Sequence, residues 1–359
     1  EIPLVAGIIS LSPMASNAHA ATLAKTFGAP LVYTRHESIT APLVGKEIVL
    51  RVRDSWDCEV DVLATESLVD QELRKKILAR KAPEPLQFVL KARSGGLSRN
   101  AAGLTMADRP YVGGTAATTG LLGATLPDNS VPSVVFTFDL WDAFMAQKTK
   151  SGKTLADEIE GRLKGFAYPP DMAKLSAALE GIRKLVEDDA RFNLAQELAI
   201  IGSLSGFDAK SPILFSSSTN IEDARSFVGV GLYERHRGCL RDDQDSDDRG
   251  PSHCAADEPM ERGVFRAIRR VFASFYHVNA YLERLRRGVA ERELGVAIVA
   301  RQAFSATEIV ANGVVTARWS EGRHRYDFRT QVGARTLRDP AVHEQCERAD
   351  VLGGDSSSA

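Results

Sequence analysis

Residues 211–236, SPILFSSSTNIEDARSFVGVGLYERH, constrain this chain more than any other stretch. Pro212 to Phe215 read as a short buried strand, and a hydroxyl-rich run, Ser216 to Asn220, follows as a turn. Two acids, Glu222 and Asp223, come next, and Gly229 and Gly231 precede Tyr233. Hydroxyls and backbone N–H groups can ring the oxygens of a phosphate. Glycines let the backbone approach with no Cβ in the way. That makes Ser216, Ser217, Thr219, Asn220, Gly229 and Gly231 candidate phosphate-binding positions, with Glu222 and Asp223 as candidates for Mg²⁺, which binds through one or two carboxylates plus substrate phosphates. The alternative is a polar surface loop between a strand and a helix.

With 359 residues the chain has room for two or three domains. A hydrophobic content of 44% with 26% charged residues is that of an ordinary globular protein. A formal net charge of −2 gives no reason to expect nucleic acid or an anionic membrane as a partner. No run nears the ~20 apolar residues of a membrane helix. The opening Glu1-Ile2-Pro3 has no signal-peptide pattern, and the missing initiator Met suggests a fragment. Four scattered cysteines, Cys58, Cys239, Cys254 and Cys346, form no disulfide framework, so a reducing, cytoplasmic setting is expected.

Taken in order, PLVAGIIS (3–10) reads as a strand, 18–27 as a helix ended by Gly28, and 31–34 and 46–52 as two further strands. His19 falls in the first turn of that helix, where an exposed imidazole can carry a phosphoryl group offset by free N–H groups. Residues 56–105 read as a linker, in which 60–81 has partial helical spacing and 87–95 the look of a strand. Gly113-Gly114 is a close-approach turn before a helix over Thr115 to Leu122. A strand over Val131 to Phe138 follows, with Asp139 as N-cap of a helix over 140–147. Residues 151–205 carry helical periodicity. So do 260–287, expected as one helix whose arginines form a solvated face. Strands at 295–304, 308–319 and 325–333 precede a low-complexity tail.

Several of these segments resemble one family. PMASNAHAATLAKTFGAPLV is similar to the phosphohistidine segment of the phosphoenolpyruvate-utilising enzymes, with His19 at the phosphorylated position and Ala18 where the family has Ser. RPYVGGTAATTGLLGATLPDNSVPSVVFTFDLWDAFM resembles the start of that family's nucleotide domain, with Thr115 in place of a lysine. SSSTNIEDARSFVGVGLYERH resembles its Arg-Ser-Ser-Thr-Asn-Ala-Glu-Asp segment, with Phe215 in place of the arginine. By the same likeness Gln331 and Glu308 are candidates for the metal or nucleotide edge.

The resemblance implies an α/β (α+β) architecture: a small swivelling phosphohistidine domain over 1–55, the 56–105 linker, an ATP-grasp-like nucleotide domain over 106–345 and a disordered tail over 346–359. This is the domain order of glucan water dikinases. It implies ATP and Mg²⁺ as cofactors, with Gly113, Gly114 and Thr115 on the phosphates and His19 as the relay to a small-molecule or carbohydrate acceptor. Oligomeric state is not indicated. Because both expected cations are replaced, a relative that binds nucleotide without transferring phosphate is the second expectation. A third is a metal-binding interaction protein, with zinc on His236, Cys239, His253 and Cys254 or calcium on Asp243, Asp245 and Asp247; neither spacing fits a usual site.

Overall fold

A computed structural model describes residues 7–11, 21, 24, 28–52, 60–64, 72–73, 76, 86–222, 224, 227, 229, 231–244, 249–255, 258–304, 307–320, 323–333 and 347–352. The chain divides into two units, one made of Val69–Ala303 with Glu1–Pro3 and a second made of Leu4–Leu68 with Phe304–Ala359. Helices and sheets are mixed, which gives an α+β class.

In the second unit β1 (Ile8–Ser10) and β2 (Leu31–Tyr33) pair in parallel. A parallel pair needs a crossover, and Ala21 and Ala24 between the strands are helical, with Ala24 buried. Gly28 at φ +62° follows, and the Ala29 amide bonds back to the Ala24 carbonyl at 2.8 Å, a left-handed helix stop. A short helix α1 (Glu37–Thr40) leads to β3 (Ile48–Val52), antiparallel to β4 (Val60–Ala64).

Val69–Ala303 is built on a five-stranded antiparallel sheet. Its order is β5 (Ser98–Asn100), β6 (Ser133–Phe136), β9 (Val296–Gln302), β7 (Ile213–Thr219) and β8 (Arg235–Gly238). Helix α2 (Arg109–Thr125) covers one face. There Val112, Ala116 and Ala117 pack with Val135 and Val299. Small residues on this helix let it lie close to the strands. The helices that follow are α3 (Phe138–Met145), α4 (Leu155–Leu163), α5 (Met172–Lys184) and α6 (Leu194–Ser203), then α7 (Val264–Ser274) and α8 (Val278–Arg286). On the opposite face of the sheet, the Phe215 ring and α7 close over Gly238: a Cβ there would come 2.8 Å from Val264 and 3.1 Å from Phe215. Trp141 meets Phe272 edge-on at 5.0 Å, and Phe144 lies 4.8 Å from Phe192, the offset arrangement aromatic rings prefer. The second unit is completed by β10 (Ala311–Ser320), β11 (Arg323–Val332) and β12 (Glu347–Leu352), a three-stranded antiparallel sheet.

Several expectations are corrected. The 56–105 segment is no plain linker, since it holds β4 and β5, and 87–95 is not a strand. Helix α3 starts at Phe138 and is capped by Thr137; the Asp139 carboxylate instead accepts from the Ser94 and Gly95 amides at 3.0 and 2.8 Å. The helix expected over 260–287 is two, α7 and α8, interrupted at 275–277. With the register broken, the arginine face is not uniformly solvated. Arg284 is fully buried, held by Glu291 at 2.8 and 3.1 Å, the Phe275 carbonyl at 2.9 Å and the Phe275 ring. Arg286 and Arg287 lie against the buried Glu283. From Phe304 onward the chain groups with Leu4–Leu68 and not with 106–303, so the 106–345 boundary differs from the observed one.

Candidate functional site

The hydroxyl run is not a turn. Ser216 to Thr219 continue β7, each opposite a residue of β9 from Val299 to Val296. Alternation places Ser216 and Ser218 on the face that carries α2. Ser218, wholly buried, donates its hydroxyl to the Val112 carbonyl at 2.7 Å and accepts from the Ala116 amide at 2.9 Å. Between those partners α2 kinks at Gly113, φ +77°. A Cβ at Gly113 would sit 2.7 Å from the Ser218 and Thr219 carbonyls and from the Ser218 hydroxyl. The glycine turn and the hydroxyl strand, 106 residues apart at Ser218 and Val112, therefore meet in one place. The helix restarts after the kink, and Ser218 satisfies one of the amides that its new N-terminus leaves open. Gly114 is buried there and Thr115 is exposed.

Beyond β7 the chain folds back on itself. Glu222 accepts from the Thr219 amide at 2.7 Å and the Ser217 hydroxyl at 3.2 Å, while the Thr219 hydroxyl accepts from the Glu222 amide at 3.0 Å. Gly229 covers this carboxylate so closely that a Cβ would come 2.5 Å from Glu222 Cγ. Gly231 takes φ +83°, and Tyr233 beyond it stacks on Phe275 at 5.8 Å. Burial drives the Tyr233 hydroxyl pKa far above its ordinary range.

Asn220 ties this turn to a cleft. Its amide nitrogen donates to the Val89 carbonyl at 3.0 Å and the Glu293 carbonyl at 2.9 Å, and its oxygen accepts from the Gly295 amide at 3.0 Å. Those segments lead to Lys91 on one side and to Glu291, Arg292 and Leu294 on the other, all in the lining of a cleft of about 890 Å³. Trp141, Met145, Ile159, Leu163, Tyr276 and Leu294 make its lining apolar. Four cations, Lys91, Lys153, Lys164 and Arg292, also face it. Lys91 pairs with Asp142, and Arg292 with Glu160 and, at 3.0 Å, with Asp157. Hydrogen bonds from Thr154 and then Arg292 hold the Asp157 carboxyl below its usual range. An apolar slot with a few convergent charges is the usual form of a small-molecule site.

Of the expected residues, the structure joins Gly113, Gly114, Ser217, Thr219, Asn220, Glu222 and Gly229 into one continuous region, with Ser216, Gly231 and Thr115 at its borders. His19 and Asp223 lie outside the described residues. Gln331, buried on β11 opposite Asn312, and the exposed Glu308 belong to the other unit. Phe215 points into the core, so position 215 brings nothing to a ligand. The cations the sequence reading missed come from three separate stretches with no shared motif, and only the fold assembles them. Among the described residues no group of three or more His, Cys, Asp and Glu is arranged to hold a metal.

The zinc expectation fails for a specific reason. Cys239 and Cys254 form a disulfide, which leaves no thiolate for a metal. His236 lies on Glu234 at 2.9 Å, and His253 on Asp242 at 3.3 Å. The same bond corrects the view that the cysteines form no disulfide, and removes that argument for a reducing compartment. Among the described residues no helix is long and apolar enough to cross a membrane. No protein-family model matches the chain, and no curated protein matches it.

Proposed function

We propose that the chain is an ATP- and Mg²⁺-dependent phosphotransferase of the dikinase type, which passes a phosphoryl group through His19 to a small-molecule or carbohydrate acceptor. One observation supports this above the rest: the Gly113 turn lies against Ser218 and Thr219, so two segments that resemble the family's nucleotide-binding motifs share one location. The cleft fastened by Asn220 offers an apolar slot for a base and lysines for phosphates. In the transfer, a phosphoanhydride P–O bond of ATP breaks as a P–N bond forms at an imidazole nitrogen of His19, and the remaining nucleotide leaves with the bridging oxygen and its electron pair. The acceptor's oxygen then displaces the imidazole. Mg²⁺ would neutralise phosphate charge. Glu222 fits that task only by giving up its bonds to Thr219 and Ser217.

That last point favours a second possibility, nucleotide binding without transfer, as do the exposed Thr115 and buried Phe215 in place of cations. Incubation with γ- and β-labelled ATP separates the two. Acid-labile label that vanishes in His19→Ala supports transfer. Quenching of Trp141 fluorescence by ATP without label supports binding alone. Neither signal would defeat both.

A further inference from the structure

A second concave surface runs along the open edge of β8. It encloses about 580 Å³ and is lined by five arginines from three elements: Arg235 and Arg237 on β8, Arg262 just before α7, and Arg266 and Arg270 on α7. Two carboxylates, Glu258 and Glu261, share the lining. A third, Glu187, reaches Arg270 at 3.2 Å and Arg266 at 3.7 Å. Arg262 also pairs with Glu258, and ion pairs of this kind hold the guanidinium groups around one concave space, where several of their N–H donors can meet a single small anion.

The segment that brings Arg262 to the cleft is held firmly, with the Cys239 amide bonded to the Arg262 carbonyl at 2.7 Å. Asp242, itself buried, accepts from the Ser252 hydroxyl, the His253 amide and the Arg262 amide, each at 2.8 Å. The Cys239–Cys254 disulfide ties the same segment to the residue that follows β8. Charges on an edge strand also discourage strand addition by another chain, but that task would not gather arginines from α7 and the preceding loop around one cleft. The guanidinium fork matches the oxygens of a phosphate two at a time, and the volume lies within the range of small-ligand sites. We propose that this cleft binds a small phosphate-bearing anion, a diphosphate or a phosphate ester, at a site separate from the cleft fastened by Asn220.

The test is calorimetric titration of the full chain at low salt with inorganic pyrophosphate and, in parallel, with glucose 6-phosphate. Saturable binding at one site is expected. Arg235→Gln and Arg270→Gln should each weaken it at least about tenfold, with circular dichroism unchanged. Lys150→Gln, a surface cation outside both clefts, should leave it as it was. The tighter of the two ligands identifies the anion as a diphosphate or an ester. Absence of saturable binding, or full affinity in both arginine variants, would overturn the proposal. So would competition with ATP for one site, with the arginine variants losing both ligands. Loss of ATP binding in Lys153→Ala with pyrophosphate binding intact would bear on the nucleotide cleft alone and support two sites.

Discussion

Two residues carry most of the local constraint. Gly113 combines a left-handed φ with a backbone approach that no Cβ fits, at 2.7 Å from three oxygens. Gly113→Ala is therefore expected to lower stability by roughly 2–5 kcal/mol, the sum of a strained φ and overpacking. Urea unfolding would show it, and a loss below about 0.5 kcal/mol would mean the kink can relax. Asp243 is the other. Burial pushes its carboxyl from the ordinary 3.8 up to about 7, against the pull of the Val264 and Phe265 amides and Arg269. A carboxyl whose pKa rises on folding binds its proton more tightly in the folded chain. Its contribution is present in full below 3.8 and is lost as pH rises through about 7. Asp243→Asn should flatten the decline in urea midpoint between pH 4.5 and 7.5; the same slope in both proteins would count against a protonated Asp243. Arg284 belongs at this scale too. Glu291→Gln leaves its buried guanidinium uncompensated and is expected to cost about 3–5 kcal/mol.

Elements with a clean period were legible and those with mixed chemistry were not. Strands β1, β2, β3, β6 and β9 fall inside the expected stretches, because apolar runs between turn residues have few other uses. Strand β7 was expected to end at Phe215, since four hydroxyl residues look like a turn. It runs on to Thr219 because β9 pairs with its backbone while α2 and Glu222 take up the hydroxyls of Ser218, Thr219 and Ser217. The break between α7 and α8 was hidden because apolar spacing runs through it. The glycine–hydroxyl half of the candidate site could be read from motifs; the lysine cleft could not, since Lys91, Lys153 and Lys164 meet only after folding. Nor could the disulfide, because pairing of Cys239 with Cys254 depends on Asp242 drawing residues 252–253 back to the end of β8. With a sequence separation of 15, that bond is expected to contribute about 3 kcal/mol. Unfolding of Cys239→Ser/Cys254→Ser against the parent measures it, and no loss would mean that the Asp242 bonds hold the segment alone.

At the scale of the molecule, the division of labour follows from sequence position. Val69–Ala303 contains the whole five-stranded sheet, the aromatic core around Trp141 and every residue of both clefts. His19 falls within Leu4–Leu68, which belongs to the other unit. A unit that holds its whole sheet can fold alone, whereas the proposed relay needs the His19 imidazole, which this unit does not contain. A fragment spanning 69–303 is thus expected to unfold cooperatively. It should bind ATP within about threefold of the full chain, less than the tenfold that 1.4 kcal/mol of lost contact would produce. It should also acquire no acid-labile label under conditions that label the full chain. Trp141 fluorescence and labelled ATP read the two properties separately. A fragment that folds and binds but also labels would move the phosphoryl acceptor into 69–303 and away from His19. A folded fragment that no longer binds ATP would show that the second unit contributes to the nucleotide site itself.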